Sequence, residues 1–594
     1  MPISSIHQSN RPGIARKGVR GGGDAPEAVL DLGLGVRQRP GQIRQNALAS
    51  GAVPNQLDTY ALTFACVLVG CRAPTGDEPP RKAHISAALA SSRLREAPLL
   101  PPPDPTSSAA PQESSIGSRT SLAASALSGD ASDAPDEPRV YAKTRFVWVY
   151  PEPDVKRQWV GFLRSGNSVK LLSAKPRAGN GCTAFVAVAP KGFVCADGSR
   201  ATLSASDPVY AALRPYATRS DSPTPHHYGE SLGLPRYLAT PTPELQRMRE
   251  GDLRSHMRGV EEARSGNVSA HLAGVDLTLP ERTFELPTLP IPVFEDRKEL
   301  KARSTVAYSA EARFGDRAFL LTADFAWVPK DRVRLYPPIA FHGVELAENA
   351  ARVAFIRKKS AAKYHRDADG NFTPGDEMFP RLATLVLSGR EQRNGRDRYY
   401  ETSDTGVWLR ASDGVIPVSQ ERTPWGEPLS DTAETPENLA PKARAPRGRA
   451  TWIEVSIEGG WLLAYEGTRR VFATLISPGK GGVAKADEDP LKRAATPTGV
   501  YPISGKFVTA TMEAPGDLIH SDVPYAQNLV GPYALHGAYW HDNWGNPQSG
   551  GCINLSPIDA KWLFDFTEPK LPAGWHGVRW IPSEGPATIV VLHR

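Results

Sequence analysis

Cys552 lies in the stretch SGGCINLSP, residues 549–557, and His536 stands sixteen residues before it in YALHGAYW. A free thiol is ionised to only a few per cent at neutral pH, so a working cysteine needs a base or a positive setting. His536 is the obvious partner, because an imidazole can take the thiol proton and later hand it to a leaving amine. Gly550 and Gly551 let backbone approach closely, which makes the amides near Gly551 and Cys552 candidate donors to the oxyanion of a tetrahedral intermediate. Ser549 and Asn554 are placed to support that loop. Just downstream, Ser556 reads as an N-cap, with Pro557 and Asp559 at the first and third helical positions. The positive end of that helix should favour a thiolate at Cys552. Tyr533, Trp540, His541, Tyr525 and Trp544 are aromatic groups suited either to line a substrate groove or to pack a β-core. These residue types support acyl transfer through sulfur. The competing readings are an inert buried thiol among structural histidines, or a metal site of His541, Asp542 and Cys552; no metal is expected.

Strands must hold these groups. In TWIEVSIEGGWLLAYEG, residues 451–467, Ile453, Val455 and Ile457 share one face, Gly459-Gly460 supplies a turn, and a second strand follows. Seven of the twelve tryptophans lie beyond residue 449, so this is the part of the chain best equipped to pack a core.

Taken together, WIEVSIEGGWLLAYEG, FATLISPG, ATPTGVYPIS, ALHG and SGGCIN resemble the L,D-transpeptidase (YkuD-like) catalytic domain over residues 450–594. That family carries a His-Gly pair, an interval, then Ser/Thr-His-Gly-Cys-apolar-Asn. His536-Gly537 matches the first element, and Ser549, Gly551, Cys552, Ile553 and Asn554 match the second. The turn Thr496-Pro497-Thr498-Gly499 and the stretch YWHDNWG are shared as well. The resemblance implies Cys552 as nucleophile, His536 as general base, and the Gly537 carbonyl as the acceptor that fixes the imidazole tautomer. It also implies a peptidoglycan tetrapeptide stem as acyl donor, release of D-Ala, and no cofactor. One position departs: the family's second histidine is Gly550 here, and His541, in the stretch YWHDNWG, is a candidate to occupy some of its space.

The remainder of the chain reads as an exported, modular protein. A net charge of +6 over 594 residues is mild, and no basic run with interleaved aromatics points to nucleic acid. The first 59 residues hold no Phe or Trp and are rich in Gly, Arg and Pro, a composition that cannot pack a core. TYALTFACVLVGC, residues 59–71, then has the length of a signal-peptide h-region and ends in LVGC, which resembles a bacterial lipobox with Cys71 as the lipidated residue. So long a stretch before an h-region is unusual and suggests that translation starts later. Arg72 after the cysteine favours the outer membrane of a Gram-negative cell, with the protein facing the periplasm.

Residues 1–71 are thus a leader, and 72–138 a disordered tether without packing aromatics. Residues 139–203 form a small β module that resembles bacterial SH3-like domains, and 204–285 an irregular, partly helical connector. Residues 286–418 form a second SH3-like β region, 419–449 a Pro- and charge-rich linker, and 450–594 the catalytic domain. Cys182 and Cys195, thirteen residues apart across a strand–turn–strand pattern, read as a disulfide or as two buried free thiols. His226, His227, His342 and His365 sit at no ligand-like spacing. The fold expected is mainly β and multidomain, small SH3-like barrels followed by a β-rich catalytic domain with few helices. The function expected is a peptidoglycan L,D-transpeptidase, with a neighbouring stem or a wall-anchored protein as acyl acceptor. The alternative is a non-catalytic, wall-binding lipoprotein with a degenerate last domain.

Overall fold

The alternation of apolar and polar residues from Tyr141 onward is realised as strands, which far outnumber helices. The computed structural model describes residues 137–281, 297–346, 352–429, 450–485, 488–514 and 516–594. The expected leader, Cys71, nearly all of the tether and most of the 419–449 linker lie outside those residues. Four α-helices occur among the described residues. The two in the connector are Pro243–Arg249, capped by Thr242, and Leu253–Arg264.

Residues 450–594 build two sheets around one core. The first has the order Val344–Glu345, Arg469–Leu475, Trp461–Glu466, Thr451–Ser456, Ile589–His593, Gly499–Pro502. The second runs Ile553–Leu555, Ala534–Gly537, Leu518–Asn528, Gly505–Ala514, Gly577–Arg579. Between them Ile453, Val455 and Ile457 meet Leu535, Ile553 and Leu555, and the helix Pro557–Phe566 adds Ala560, Leu563 and Phe564. The alternation in the Thr451 strand suggests one wet face, yet both faces are buried. Trp452, Trp461, Leu463 and Tyr465 on the opposite side are covered by Phe341, Phe355 and Trp544.

Neither sheet belongs to the C-terminal segment alone. Val344–Glu345, from the region before it, pairs with Arg469–Leu475 and finishes an edge. At the other edge, Gly577–Arg579 pairs with Gly161–Leu163, so the second sheet continues through the strands of residues 139–202 into one sheet of twelve strands. Within that first module Cys182 and Cys195 form a disulfide, with Cα atoms 6.0 Å apart.

Residues 286–418 hold two sheets. One, of five strands, includes His227–Ser231 from the stretch read as irregular connector, paired with Thr305–Phe314 and Val333–Leu335. The isolated HHYGES run carries too little alternation to announce a strand, and its partners lie about 75 to 105 residues away. The other sheet has six strands, from Val353–Phe355 to Trp408–Arg410. Its hairpin turns at Gly395-Arg396, with Asn394 paired to Asp397 and Gly395 at φ 61°.

Candidate active site

Two short parallel strands carry the chemistry. Leu535 pairs with Ile553, His536 with Asn554, and Gly537 with Leu555. Residues paired in register share a face. Leu535, Ile553 and Leu555 go into the core, so His536 and Asn554 take the other side. Cys552 immediately precedes its strand, two residues before Asn554. At ordinary strand spacing and rise, its Cα stands about 8 Å from that of His536, a gap the two side chains can bridge. The structure thus brings Cys552 and His536 to one end of one sheet face.

His536 is buried, and its Nδ1 lies 3.1 Å from Gly537 O. A carbonyl only accepts, so Nδ1 carries the proton and Nε2 keeps a lone pair. This is the tautomer a general base requires, and Gly537 fixes it as the resemblance implies. Burial pushes the ring down to about 4; the Gly537 bond opposes this, while His520 and His541 add to it.

The sulfur departs from expectation. Burial pushes the Cys552 thiol up to about 11, against a weaker pull from the Ala534 N–H. The helix does start where the sequence places it, with Ser556 accepting from Asp559 N at 3.1 Å. Its positive end does not yield a resting thiolate, because burial of the sulfur outweighs it, and the first turn of that helix holds a fully buried carboxylate, Asp559. The Asp559 carboxylate accepts from Gly343 N at 2.9 Å, from Thr474 Oγ1 at 2.5 Å and from His342 Nδ1 at 2.7 Å. Burial therefore favours a neutral thiol, whose Sγ donates to Pro532 O at 3.6 Å, and a neutral imidazole.

Hydroxyls staple the loop before the sulfur. Ser549 Oγ accepts from Gly551 N at 3.0 Å and donates to Cys552 O at 2.5 Å. Thr496 Oγ1 donates to Gly551 O and accepts from Gly479 N, both at 2.9 Å. The Gly551 amide, expected to serve an oxyanion, is thus engaged by Ser549. Gly551 has φ 132°, and a Cβ there would stand 2.8 Å from the Tyr533 ring and 2.9 Å from Ala495 O. Gly550 is the opposite case, since nothing lies within 4 Å of the position a Cβ would take.

His541 is half-buried, with Nδ1 accepting from Asn543 N at 3.3 Å and Nε2 3.1 Å from the Asn554 side-chain amide. Burial pushes this ring also down to about 4. The Asn554 atom that lies against Nε2 is Nδ2. Its ring centroid lies 4.6 Å from that of Trp544. Tyr533 packs beside Cys552 with its hydroxyl buried and unpartnered. Trp540 stacks on His520 at 4.4 Å and lies 5.9 Å from His536.

Tyr525 does not line this site. It is 1% exposed, packs in the core near Phe564, and donates its hydroxyl to Ser220 O at 3.2 Å. Thr496 and His520 had no assigned role in the sequence reading. Thr496 was visible only as part of a turn, and His520 stands in a strand without a motif. Among the described residues, the grouping of potential metal ligands is Cys182, Cys195 and Asp197, where both sulfurs are joined to each other. His541, Asp542 and Cys552 form no such group.

A cysteine, a tautomer-locked histidine and a stapled Gly-Gly loop at the end of a two-sheet core invite comparison with known catalytic segments. Residues 450–585 match the YkuD family, the L,D-transpeptidase catalytic domain. Solved structures similar to this chain include a mutant of the Enterococcus faecium L,D-transpeptidase, at 22% identity and TM-score 0.18, covering 24% of this chain and 50% of that one. The catalytic domain of an E. faecium L,D-transpeptidase is 23% identical at TM-score 0.18, covering 25% of this chain and all of that one. The L,D-transpeptidase from Mycobacterium smegmatis is 15% identical at TM-score 0.19, covering 44% and 89%. This chain therefore spans half the length of the first of these. No curated protein matches it. The YkuD segment contains Cys552, His536, Gly537, Ser549, Gly550, Gly551 and Asn554.

Proposed function

We propose that the chain is a peptidoglycan L,D-transpeptidase in which Cys552 is the nucleophile and His536 the general base. Cys552 passes its proton to His536 Nε2 as sulfur attacks the carbonyl carbon of the amide that precedes D-Ala in a tetrapeptide stem. A C–S bond forms, and collapse of the tetrahedral intermediate breaks the C–N bond. The imidazolium gives its proton to the departing D-Ala amine. An acceptor amine, from a neighbouring stem or a wall-anchored protein, then attacks the thioester, and its proton returns through His536 to the sulfur. With the Gly551 amide engaged by Ser549, the Cys552 N–H is the donor this reading gives to the oxyanion. One observation carries the proposal: Gly537 O holds the proton of His536 on Nδ1 and leaves Nε2 free on the face shared with Cys552.

Ertapenem, which acylates the E. faecium catalytic domain, supplies the test. Intact mass after incubation should show one adduct on the full chain and none on Cys552→Ala. No adduct on the parent protein would favour the second reading, a non-catalytic wall-binding lipoprotein. That reading draws on Gly550 and on a resting thiol pushed up to about 11.

The proposal also anchors the protein by a lipid at Cys71 to the outer membrane, facing the periplasm, with residues 139–203 and 286–418 as SH3-like modules. LVGC and the aromatic-poor residues 72–138 support the anchor. Mass spectrometry of the mature protein checks it: a lipidated Cys71 terminus is expected, and an unprocessed Met1 terminus contradicts it.

A further inference from the structure

The loop between His536 and Cys552 is held from outside the YkuD segment. Residues 352–418, which carry the six-stranded sheet, press two arginines onto it. Arg357 Nη1 donates to Gly545 O at 3.0 Å. Gly545 has φ 83°, and Arg357 Cδ stands 2.9 Å from where a Cβ would lie, so this approach requires glycine. Arg381, just after the strand Phe372–Pro380, engages Asp542 twice. Its Nη1 lies 3.1 Å from Asp542 Oδ2, and its Nη2 donates to Asp542 O. Between these contacts Trp544 is fully buried in the cluster that includes Phe341 and Phe355. Asp542 adjoins His541, and His541 is hydrogen-bonded to Asn554, the in-register partner of His536. A chain of contacts therefore runs from Arg381 through Asp542, His541 and Asn554 to the strand that follows the nucleophile.

We propose that Arg381 is a positioning residue for the active site, holding the His541 loop so that His541 supports Asn554. The inference rests on the transferase reading above and assigns residues 352–418 a part in it, as an outer wall of the catalytic loop. Nothing fills the space at Gly550; the histidine that braces Asn554 is on the loop, and the preceding β region holds that loop.

Burial is the largest influence that keeps His541 neutral; of the charged groups, Asp542 draws a proton onto the ring and Lys480 opposes it, while His541 in turn disfavours charge on His536. Arg381 neutralises Asp542. Without it, the Asp542 carboxylate faces His541 uncompensated, and the ring must hold its proton to higher pH.

The experiment uses the full chain with Arg381→Ala and Arg381→Lys, and reads two quantities. One is the rate and half-saturating concentration for acylation by ertapenem; the other is the NMR titration of the His541 ring. Arg381→Ala should acylate about tenfold more slowly, inside the roughly hundredfold that a misplaced catalytic group can cost, with little change in half-saturation. His541 should titrate at higher pH in that variant, and Arg381→Lys should restore part of the rate and most of the titration. Arg381→Ala with parental rate and unshifted His541 would overturn the proposal. If the parent protein is not acylated at all, the transferase reading fails by itself. The His541 titration then decides the positioning claim alone, a shift supporting it and no shift overturning it.

Discussion

At the scale of single residues, the two adjacent glycines before Cys552 have different jobs. Gly551 occupies a left-handed backbone position with Tyr533 and the Ala495 carbonyl closer than a Cβ allows, whereas Gly550 faces open space. Gly551→Ala should therefore cost about 1–3 kcal/mol of stability and displace the sulfur. Gly550→Ala should leave thermal stability within about 0.5 kcal/mol. Thermal unfolding of the two variants beside the parent checks the contrast, and equal losses would contradict it. A Cβ at Gly550 meets nothing, so glycine there is not imposed by packing at that atom. Cys552, His536 and the helix cap stood out in the sequence because each is marked by neighbours a few residues away. Tyr525 was misread because its hydroxyl acceptor, Ser220, is 305 residues distant, and no local pattern reports such a contact. His520 was missed for the same reason, since its partner Trp540 meets it only through the fold.

At the scale of elements, the helix Pro557–Phe566 joins the two halves of the account. Its first turn buries Asp559, and His342, from the segment that adds the edge strand Val344–Glu345, binds that carboxylate at 2.7 Å. The Asp559 bond raises the folded-state pKa of His342 above its ordinary value, against some desolvation. A group raised in the folded state adds stability that is fully present below its unfolded pKa, about 6.5, and is lost as pH rises through the folded value. The stability difference between the parent and His342→Ala should thus be larger at pH 5.5 than at pH 9. A difference that is constant, or larger at high pH, would show that His342 is not charged against Asp559. The strands themselves were legible from alternation. Which faces would be buried was not, because alternation reports a strand and says nothing of a second layer supplied by Phe341, Val353 and Phe355.

At the scale of the whole molecule, the YkuD segment shares its sheets with its neighbours. Gly161–Leu163 continues one sheet and Val344–Glu345 finishes the other, while Phe341 and Phe355 cover aromatic side chains that would otherwise meet water. Cutting the chain to residues 450–594 exposes two strand edges and an apolar face together. That fragment should melt well below the full chain or associate. Sedimentation and thermal unfolding of the fragment check this, and a monomer with the full chain's Tm would contradict it. Sequence reading drew the segments as beads along a chain because composition marks linkers but does not mark which edges pair across them.

The central claim is that a neutral Cys552 gives its proton to a neutral, Nδ1-protonated His536 as the acyl donor is attacked. The pH dependence of the ertapenem acylation rate, measured on the parent and on His536→Ala, tests it most directly. With the imidazole pushed down to about 4 and the thiol up to about 11, the parent rate should be level from about pH 5.5 to 9, fall as His536 gains a proton in acid, and collapse in His536→Ala. A parent rate that climbs tenfold per pH unit through neutrality, or a His536→Ala protein that keeps the parent rate, would contradict the account.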